Sequence, residues 1–469
     1  MKLINIFLTF LVLVLTACTQ NNATNVENIE LPANFVNQGN GQVDVKWWHS
    51  FEQSELTHFI EQGLQDNLSL KARELRLKSS AIDAEMAGAD LYPDLNLLIS
   101  GTMPIDDLGN IKSASLGLSS SWELDLWGRI AAGENRAYWD HQGQKALLKA
   151  RANLVAGNIT TAWLSLVSEQ EKKLVLASQF KRTQDALVVI SRRFSMGKNS
   201  VTNIWQQQKL LKSIEVQQAK NIAELYIHQQ SLALWLGVTT DNIKYSESNT
   251  LPSLPKLPQI GVPADVLRNR PDIEQAFAKI KAANENLAVA ISNQYPRFTL
   301  RANYTTAKNS VKDLFDDWSG NLISSLAMPL FDAGTKKSVV QQRKLQLKAL
   351  IFDYQQVWLD AIASVNKVLV TEEQLLTVAN NLTAQLDLAE RTDKLTTIKY
   401  LNGKTNYINL LKAQESILSL ERQLIDANKK LIINRVLLYR ELSHSDFSSP
   451  ATLPTTSLSN DKNISGNHS

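Results

Sequence analysis

Only one cysteine, Cys18, occurs in the 469 residues, so no disulfide can form within the chain and its fold must rest on packing alone. Proline is missing from two long tracts, between Pro104 and Pro252 and between Pro329 and Pro450, and glycine is missing from the 68 residues between Gly334 and Gly403. Tracts without either breaker can carry very long helices. A charge excess is missing too: 49 basic against 46 acidic residues leave a net charge of +3, which forms neither a nucleic-acid-binding stripe nor an acidic tail. Past the N-terminal segment no apolar run reaches the ~18 residues of a membrane-spanning helix. The histidines His49, His58, His141, His228, His444 and His468 show neither paired metal spacing nor an HExxH pattern. Gly403-Lys404-Thr405 looks like the end of a phosphate-binding loop, but Ile398 stands where that loop needs its first glycine. The sequence therefore predicts no enzyme, no catalytic residue, no metal ligand and no cofactor.

What is present begins at the N-terminus. Lys2 gives a short positive region, Ile4 to Leu15 an apolar one, and Leu15-Thr16-Ala17-Cys18 a cleavage site. The tetrapeptide looks like a bacterial lipobox, which would make 1–17 a signal peptide and Cys18 the acylated first residue of the mature chain. Two or more acyl chains anchor stably where one is marginal. Thr19 follows the cysteine instead of an aspartate, which favours the outer membrane over inner-membrane retention.

The chain then says one thing twice. Leu91-Tyr92-Pro93 returns as Gln294-Tyr295-Pro296, and Arg193-Phe194-Ser195-Met196-Gly197-Lys198 returns as Lys399-Tyr400-Leu401-Asn402-Gly403-Lys404, with about two hundred residues between the copies. That period is domain-sized, far beyond the roughly 20 to 50 residues of a solenoid repeat. Between the copies lies Leu251-Pro252-Ser253-Leu254-Pro255-Lys256-Leu257-Pro258, whose spaced prolines favour extended chain. The expected organisation is an extended, lipid-anchored N-terminus at 18–46, a first repeat at 47–250, a Pro-rich linker at 251–263, a second repeat at 264–444 and a disordered Ser/Asn-rich tail at 445–469.

Each repeat reads as two strands, a very long helix, a Gly-marked break and another helix. Leu148, Ala152, Val155, Ile159, Ala162 and Leu166 step by four and three. After polar Glu169 and Lys173 the phase resumes at Leu176, Phe180, Thr183, Leu187, Ile190 and Phe194, and the second repeat has Leu347, Ile351, Tyr354, Trp358, Ala361, Val365 and Val368. The Gly-free tract alone would span roughly 100 Å as one helix at 1.5 Å per residue. A stripe of that length needs partner helices, so coiled-coil packing is expected. The strands alternate instead. Leu116, Leu118, Ser120, Trp122, Leu124 and Leu126 oppose Gly117, Ser119, Ser121, Glu123 and Asp125; Phe298, Leu300, Ala302 and Tyr304 oppose Thr299, Arg301, Asn303 and Thr305; Leu322, Ser324, Leu326, Met328 and Leu330 form another apolar face. Such a face suits either the core of a soluble sandwich or the lipid side of a membrane barrel, whose strands need about ten residues. Four strands cannot close such a barrel, and an open edge in lipid leaves backbone groups unsatisfied. If they span a membrane, several chains must share one barrel.

At this density of motifs the chain resembles the outer-membrane factors of efflux and type I secretion systems, the TolC-like family, and in particular its OprM-type lipoproteins. The residues that carry the resemblance are Trp47-Trp48 with Phe51, Leu56, Asn67 and Leu68; Trp122-Glu123-Leu124-Asp125-Leu126-Trp127-Gly128; Val262-Pro263-Ala264-Asp265-Val266-Leu267-Arg268-Asn269-Arg270-Pro271-Asp272-Ile273; and Pro329-Leu330-Phe331-Asp332-Ala333-Gly334. The resemblance implies a mainly α protein with membrane β: a homotrimer whose chains give four strands each to a twelve-stranded barrel, continued by a periplasmic α-helical coiled-coil tunnel. It implies an outer-membrane exit duct for a tripartite efflux system, fed by a periplasmic adaptor (membrane fusion) protein and an inner-membrane pump of RND type. The alternatives are the outer-membrane component of type I protein or peptide secretion, or a structural envelope coiled-coil lipoprotein. Arg192, Arg193, Phe194, Gly197, Asn203, Lys399, Tyr400, Gly403, Lys404, Asn409 and Lys412 would then lie at the periplasmic tip, where the aperture closes and the adaptor docks. Where some members place aspartate just after the second turn, this chain has Asn409 and Lys412, with Asn203 in the first repeat. That departure argues against a cation-selective acidic ring; Lys412 faces either the lumen, where three copies would repel cations, or the outside. In Arg270-Pro271-Asp272, proline at the first helical position and aspartate beside the positive helix end predict a helix start and a structural role.

Overall fold

The sequence periodicities become structure directly in the computed structural model, which describes residues 46–106, 111–246, 250–258 and 267–442. The signal-like segment, Cys18, the rest of the N-terminal extension up to residue 45, the last residues of the linker, Val262 to Val266 of the motif that ends in Arg270-Pro271-Asp272-Ile273, and the tail from 443 onward lie outside the described residues. A short helical turn, Trp47–Phe51, precedes α1 (Ser54–Asp66), α2 (Leu68–Ala89), β1 (Asn96–Thr102), β2 (Ser113–Leu124), α3 (Arg129–Ser195) and α4 (Val201–Leu236). The second half repeats the plan with α5 (Pro271–Ser292), β3 (Arg297–Lys308), β4 (Ser319–Ala327), α6 (Thr335–Leu401) and α7 (Tyr407–Leu442).

The duplication is more complete than the sequence expectation. Both long helices have 67 residues, both return helices 36, and α2 and α5 have 22 each. The expected unit of strand, strand, long helix and helix therefore omits its opening helix. The strand ends also differ: Leu126, Met328 and Leu330 fall outside β2 and β4, because the chain must turn there into α3 and α6. Both turns use one device. Gly128 and Gly334 take the left-handed conformation (φ 69° and 82°), which glycine reaches without a Cβ penalty. Asp125 then accepts from the backbone N–H of Ile130 and Ala131 at 3.0 and 2.8 Å, and Asp332 from Gly334 and Lys336 at 3.0 and 2.9 Å. Each carboxylate satisfies first-turn donors and complements the helix dipole. The Trp-Glu-Leu-Asp and Phe-Asp-Ala-Gly motifs are thus strand-to-helix joints.

Four strands form one antiparallel sheet in the order β1-β2-β3-β4, so the central β2–β3 pair joins the two repeats. Residues opposite one another share a face: Leu97, Leu118 and Tyr304 line up across three strands, as do Leu124, Phe298 and Leu326. The other face carries Ser100 and Ser115, their hydroxyls 2.6 Å apart, and Asn303, which donates to Asn321 at 3.1 Å. Leu97, Leu118, Tyr304, Leu322 and Leu326 are all exposed, so among the described residues most of the apolar face is uncovered; only toward the β1–β2 and β3–β4 turns is it closed, where Ala114 and Thr306 are buried and Trp318 stacks on Tyr304 at 5.0 Å. A 12-residue strand such as β2 reaches about 40 Å, enough to cross a bilayer core at the usual tilt. Among the described residues no helix is long and apolar enough to do so.

Helix packing follows the stripes. Toward the sheet, α2, α3, α5 and α6 lie side by side; toward the far end the order is α4, α3, α7 and α6. At about 1.5 Å per residue, α3 and α6 each run roughly 100 Å. The main core sits at mid-height, where α1 and the aromatic turn close over α3, α6 and α7: Trp47, Trp48, Phe51, Ile60, Val155, Ile159, Trp163, Val365 and Val436 are buried together. Trp47 stacks on Tyr439 at 5.7 Å, and Trp163 Nε1 donates to Glu55 at 2.8 Å. Asn67 caps α2 through the N–H groups of Ser69 and Leu70 and donates to the Trp235 carbonyl at 2.8 Å, which explains an asparagine at that point of the N-terminal motif.

The stripe expectation holds for Ala152, Val155, Ile159, Ala162, Leu166, Leu176, Thr183 and Ile190, all buried, and fails at Phe194, which is exposed. Glu169 does not interrupt the buried face; it belongs to it, at 4% exposure. Asn221 of α4 donates to its carboxylate at 2.8 Å, and Lys172 pairs with it at 2.6 Å. The second repeat uses the same device: buried Glu372 accepts from Asn434 and pairs with Arg435. As expected, Pro271 opens α5 with Arg270 before it. Arg270 bridges Asp272 and Glu441, both at 2.8 Å, tying the start of the second repeat to the end of α7.

Candidate functional site

The far end of the molecule is built from two matched helix reversals. Residues 196–200 join α3 to α4, and residues 402–406 join α6 to α7. Gly197 and Gly403 adopt φ of 69° and 70° with open space around a would-be Cβ, so backbone conformation alone selects glycine there. The Gly197 N–H donates to the Phe194 carbonyl at 2.8 Å and that of Lys198 to Arg193 at 2.8 Å; Gly403 donates to Tyr400 at 3.0 Å and Lys404 to Lys399 at 2.8 Å. Both are glycine C-caps that satisfy the last carbonyls of a long helix. Gly403-Lys404-Thr405 therefore sits in a helix-to-helix turn, not between strand and helix as a phosphate loop requires.

Behind the turns the two hairpins share one apolar cluster. The first contributes Leu176, Ile190, Leu210 and Ile214, the second Tyr400, Tyr407, Leu410 and Leu418. The Arg193 guanidinium lies 5.0 Å from the centre of the Tyr400 ring, and Tyr400 lies 5.7 Å from Tyr407. Tyr407 donates its hydroxyl to Gln207 Oε1, and Gln207 Nε2 donates to the Thr183 carbonyl at 3.0 Å. One buried polar chain thus links α7 through α4 to α3. Burial, then the neighbouring Tyr400 and Glu415, pushes the Tyr407 phenol up from its ordinary value, so it remains a donor. A second tie lies farther along, where Gln179 donates to Glu421 at 2.6 Å and Arg182 meets the same carboxylate at 2.8 Å.

Of the residues expected at this end, the structure brings Arg193 and Tyr400 into contact and places Gly197 and Gly403 at the reversals. Arg192, Phe194, Lys399, Lys404, Asn409 and Lys412 are exposed. Asn409 bonds locally, its N–H to Asn406 Oδ1 at 3.2 Å and its amide to Thr405 at 3.0 Å, while Asn203 pairs with Asn199. Both asparagines therefore secure turns. Tyr407 and Gln207 were not singled out from sequence. The available signal was spacing: Tyr407 repeats Tyr400 one heptad later, straight across the turn.

Removing the Tyr407 hydroxyl leaves the Gln207 carbonyl buried without its donor, which costs about 1–3 kcal/mol at the contact holding the two hairpins together. Tyr407→Phe is expected to loosen the tip while sparing the fold. Faster proteolysis at the 196–200 and 402–406 turns, with an unchanged unfolding midpoint elsewhere, is the outcome to look for in limited proteolysis.

A family model described as outer membrane efflux protein matches residues 59–238 and 262–443, one match in each repeat. The cation efflux system protein CusC of Escherichia coli is 23% identical over 87% of this chain and 90% of its own length. The pyoverdine export outer membrane protein OpmQ of Pseudomonas aeruginosa is 24% identical over 94% of this chain and 97% of its own. Among solved structures, the open state of the Neisseria gonorrhoeae MtrE outer membrane channel superposes with a TM-score of 0.78 at 23% identity, covering 89% of this chain and 96% of that one.

Proposed function

Because this chain belongs to the outer membrane efflux protein family, we propose that three copies assemble into a passive exit duct, in which twelve shared strands cross the outer membrane and the long helices continue as a tunnel into the periplasm. The observation that carries this reading is the uncovered sheet. Most of its apolar face is exposed, and among the described residues β1 and β4 each have an unpaired edge. In lipid those edges need partners, and three such sheets joined edge to edge remove every one of them. A barrel of twelve strands is also within the range that membrane barrels adopt.

At the far end, the tip residues Arg192, Arg193, Phe194, Gly197, Lys399, Tyr400, Gly403 and Lys404 form the aperture and the surface met by a periplasmic adaptor, with Asn203, Asn409 and Lys412 on the return helices. The Tyr407–Gln207–Thr183 chain holds that aperture in its resting arrangement. Nothing in the duct supplies energy, so an inner-membrane pump of RND type, acting through the adaptor, drives opening and transport. The pump selects cargo first: relatives of similar length are named for cations and for pyoverdine. Acylated Cys18 anchors the mature N-terminus in the same membrane, in keeping with a relative described as a probable outer membrane lipoprotein.

Cys18→Ser is expected to leave the helices folded but to remove lipid labelling and to lower the yield of protein in the outer-membrane fraction, read by labelling with a fatty acid and by membrane fractionation. Full labelling of the variant would contradict the anchor. In planar bilayers, Tyr407→Phe is expected to conduct more than the parent channel; equal conductance would contradict the assignment of this contact to the aperture.

A further inference from the structure

Charge is balanced over the whole chain but not at its tip. Residues 190–211 contain four Lys and Arg and no Asp or Glu, and residues 394–412 likewise contain four and none. These two spans are the ends of α3 and α6, both turns and the first turns of α4 and α7, reaching from about 9 Å along α3 and α7 to about 16 Å along α4 at 1.5 Å per helical residue; the first acids beyond them are Asp185 on α3, Asp393 on α6 and Glu415 on α7. Of the eight cations, all but Arg193 are exposed. None of the eight has an ion-pair partner among the described residues, whereas Lys212, just past the zone, already meets Glu215 at 2.8 Å.

Local compensation is missing as well. The first turns of α4 and α7 carry no acidic residue, although acids are favoured there. Two helix C-termini and two N-termini meet at this end, so their dipoles largely offset one another and the side chains set the sign. Asp393, which immediately precedes the second span, is half-buried and burial pushes its carboxyl up.

Resting on the duct reading above, we infer that the tip is an electropositive collar that passes anions in preference to cations, and that the cargo entering it is anionic. Three copies bring all of these charges around one mouth. Charges within about 8 Å of each other are not screened from one another at physiological salt, and low-dielectric walls focus their field into the water between them. The sign of the field in the mouth therefore does not depend on whether a particular lysine, Lys412 included, points inward or outward.

The test is ion selectivity of the purified channel in a planar bilayer under a potassium chloride gradient, in the parent and in a Tyr407→Phe background that loosens the tip. Chloride is expected to be favoured over potassium by about tenfold, the lower end of what such focusing achieves. The combined variant Lys198→Gln, Lys209→Gln, Lys404→Gln and Lys412→Gln halves the eight cations of each chain and should still conduct with that preference clearly reduced, and the matching four-arginine variant should retain it in full. A parent channel that prefers potassium, or shows no preference, overturns the inference while leaving the duct intact; the charges would then serve an acidic protein partner. Absence of conductance in the parent and in Tyr407→Phe alike contradicts the duct reading, and the inference falls with it.

Discussion

Leu118→Arg is expected to abolish the assembled channel, while Ser119→Arg, one residue along the same strand, leaves it intact. Leu118 sits at the middle of β2, opposite Leu97 on one side and Tyr304 on the other, and the residue is 41% exposed. Its neighbour Ser119 lies on the opposite face with Asn96 and Asn303. If the apolar face meets lipid, an arginine at the bilayer midplane costs about 2–4 kcal/mol, so about 6–12 kcal/mol for three copies sharing one barrel. That equals the whole stability of an ordinary domain. The polar face lines water and tolerates the same side chain. Heat-modifiable migration and recovery in the outer-membrane fraction distinguish the two variants. Equal recovery would mean that Leu118 does not face lipid, and the barrel assignment would fail at its central strand.

Arg435→Met is expected to be the most damaging single change in the tunnel. Arg435 and Glu372 are among the most enclosed charged side chains described, at 3% and 4% side-chain exposure. The Arg435 Nε donates to Glu372 at 3.0 Å, a second guanidinium nitrogen reaches the same carboxylate, and a third donates to the Pro255 carbonyl of the linker. Asn434 donates to Glu372 at 3.3 Å and to the Val368 carbonyl at 3.0 Å. Loss of the arginine strands a buried carboxylate, at a cost of about 3–5 kcal/mol. The double variant Arg435→Met, Glu372→Leu removes both charges and should recover most of that stability. Denaturant titration of the helical signal measures the difference, and a single variant as stable as the double would contradict it. The contact has architectural meaning, because it fixes the extended linker, α6 and α7 in one register.

The Leu118 prediction rests on a feature that the sequence displayed openly, whereas the Arg435 prediction does not. Alternation in β2 and β3, the Gly- and Pro-free tracts and the doubled glycine turns are local patterns, and local patterns survive into the structure because each is enforced within a few residues. The opening helices were harder to see. Neither α2, which buries only Leu70, nor α5 carries a stripe as long as those of α3 and α6. Glu169 and Glu372 were misread or passed over because an acid in the buried phase of a helix normally marks a break. Here each finds an asparagine and a cation on other turns or helices, and such long-range partners leave no periodic trace. Phe194 shows the converse: it continues the stripe by spacing, but at the end of α3 no helix remains to cover it. At the tip, glycine positions located the turns, whereas the Tyr407–Gln207 contact depends on how two hairpins from opposite halves of the chain meet, and only the packed structure brings them together.

The central claim is that one chain supplies a third of a pore. Its most direct test is the mass of the detergent-extracted species recovered from the outer membrane, measured by native mass spectrometry on the same sample that is then inserted into a planar bilayer. The account predicts a species of three chains that conducts. A monomer that remains soluble without detergent and does not conduct would contradict it, and would return the long helices to a structural role in the envelope.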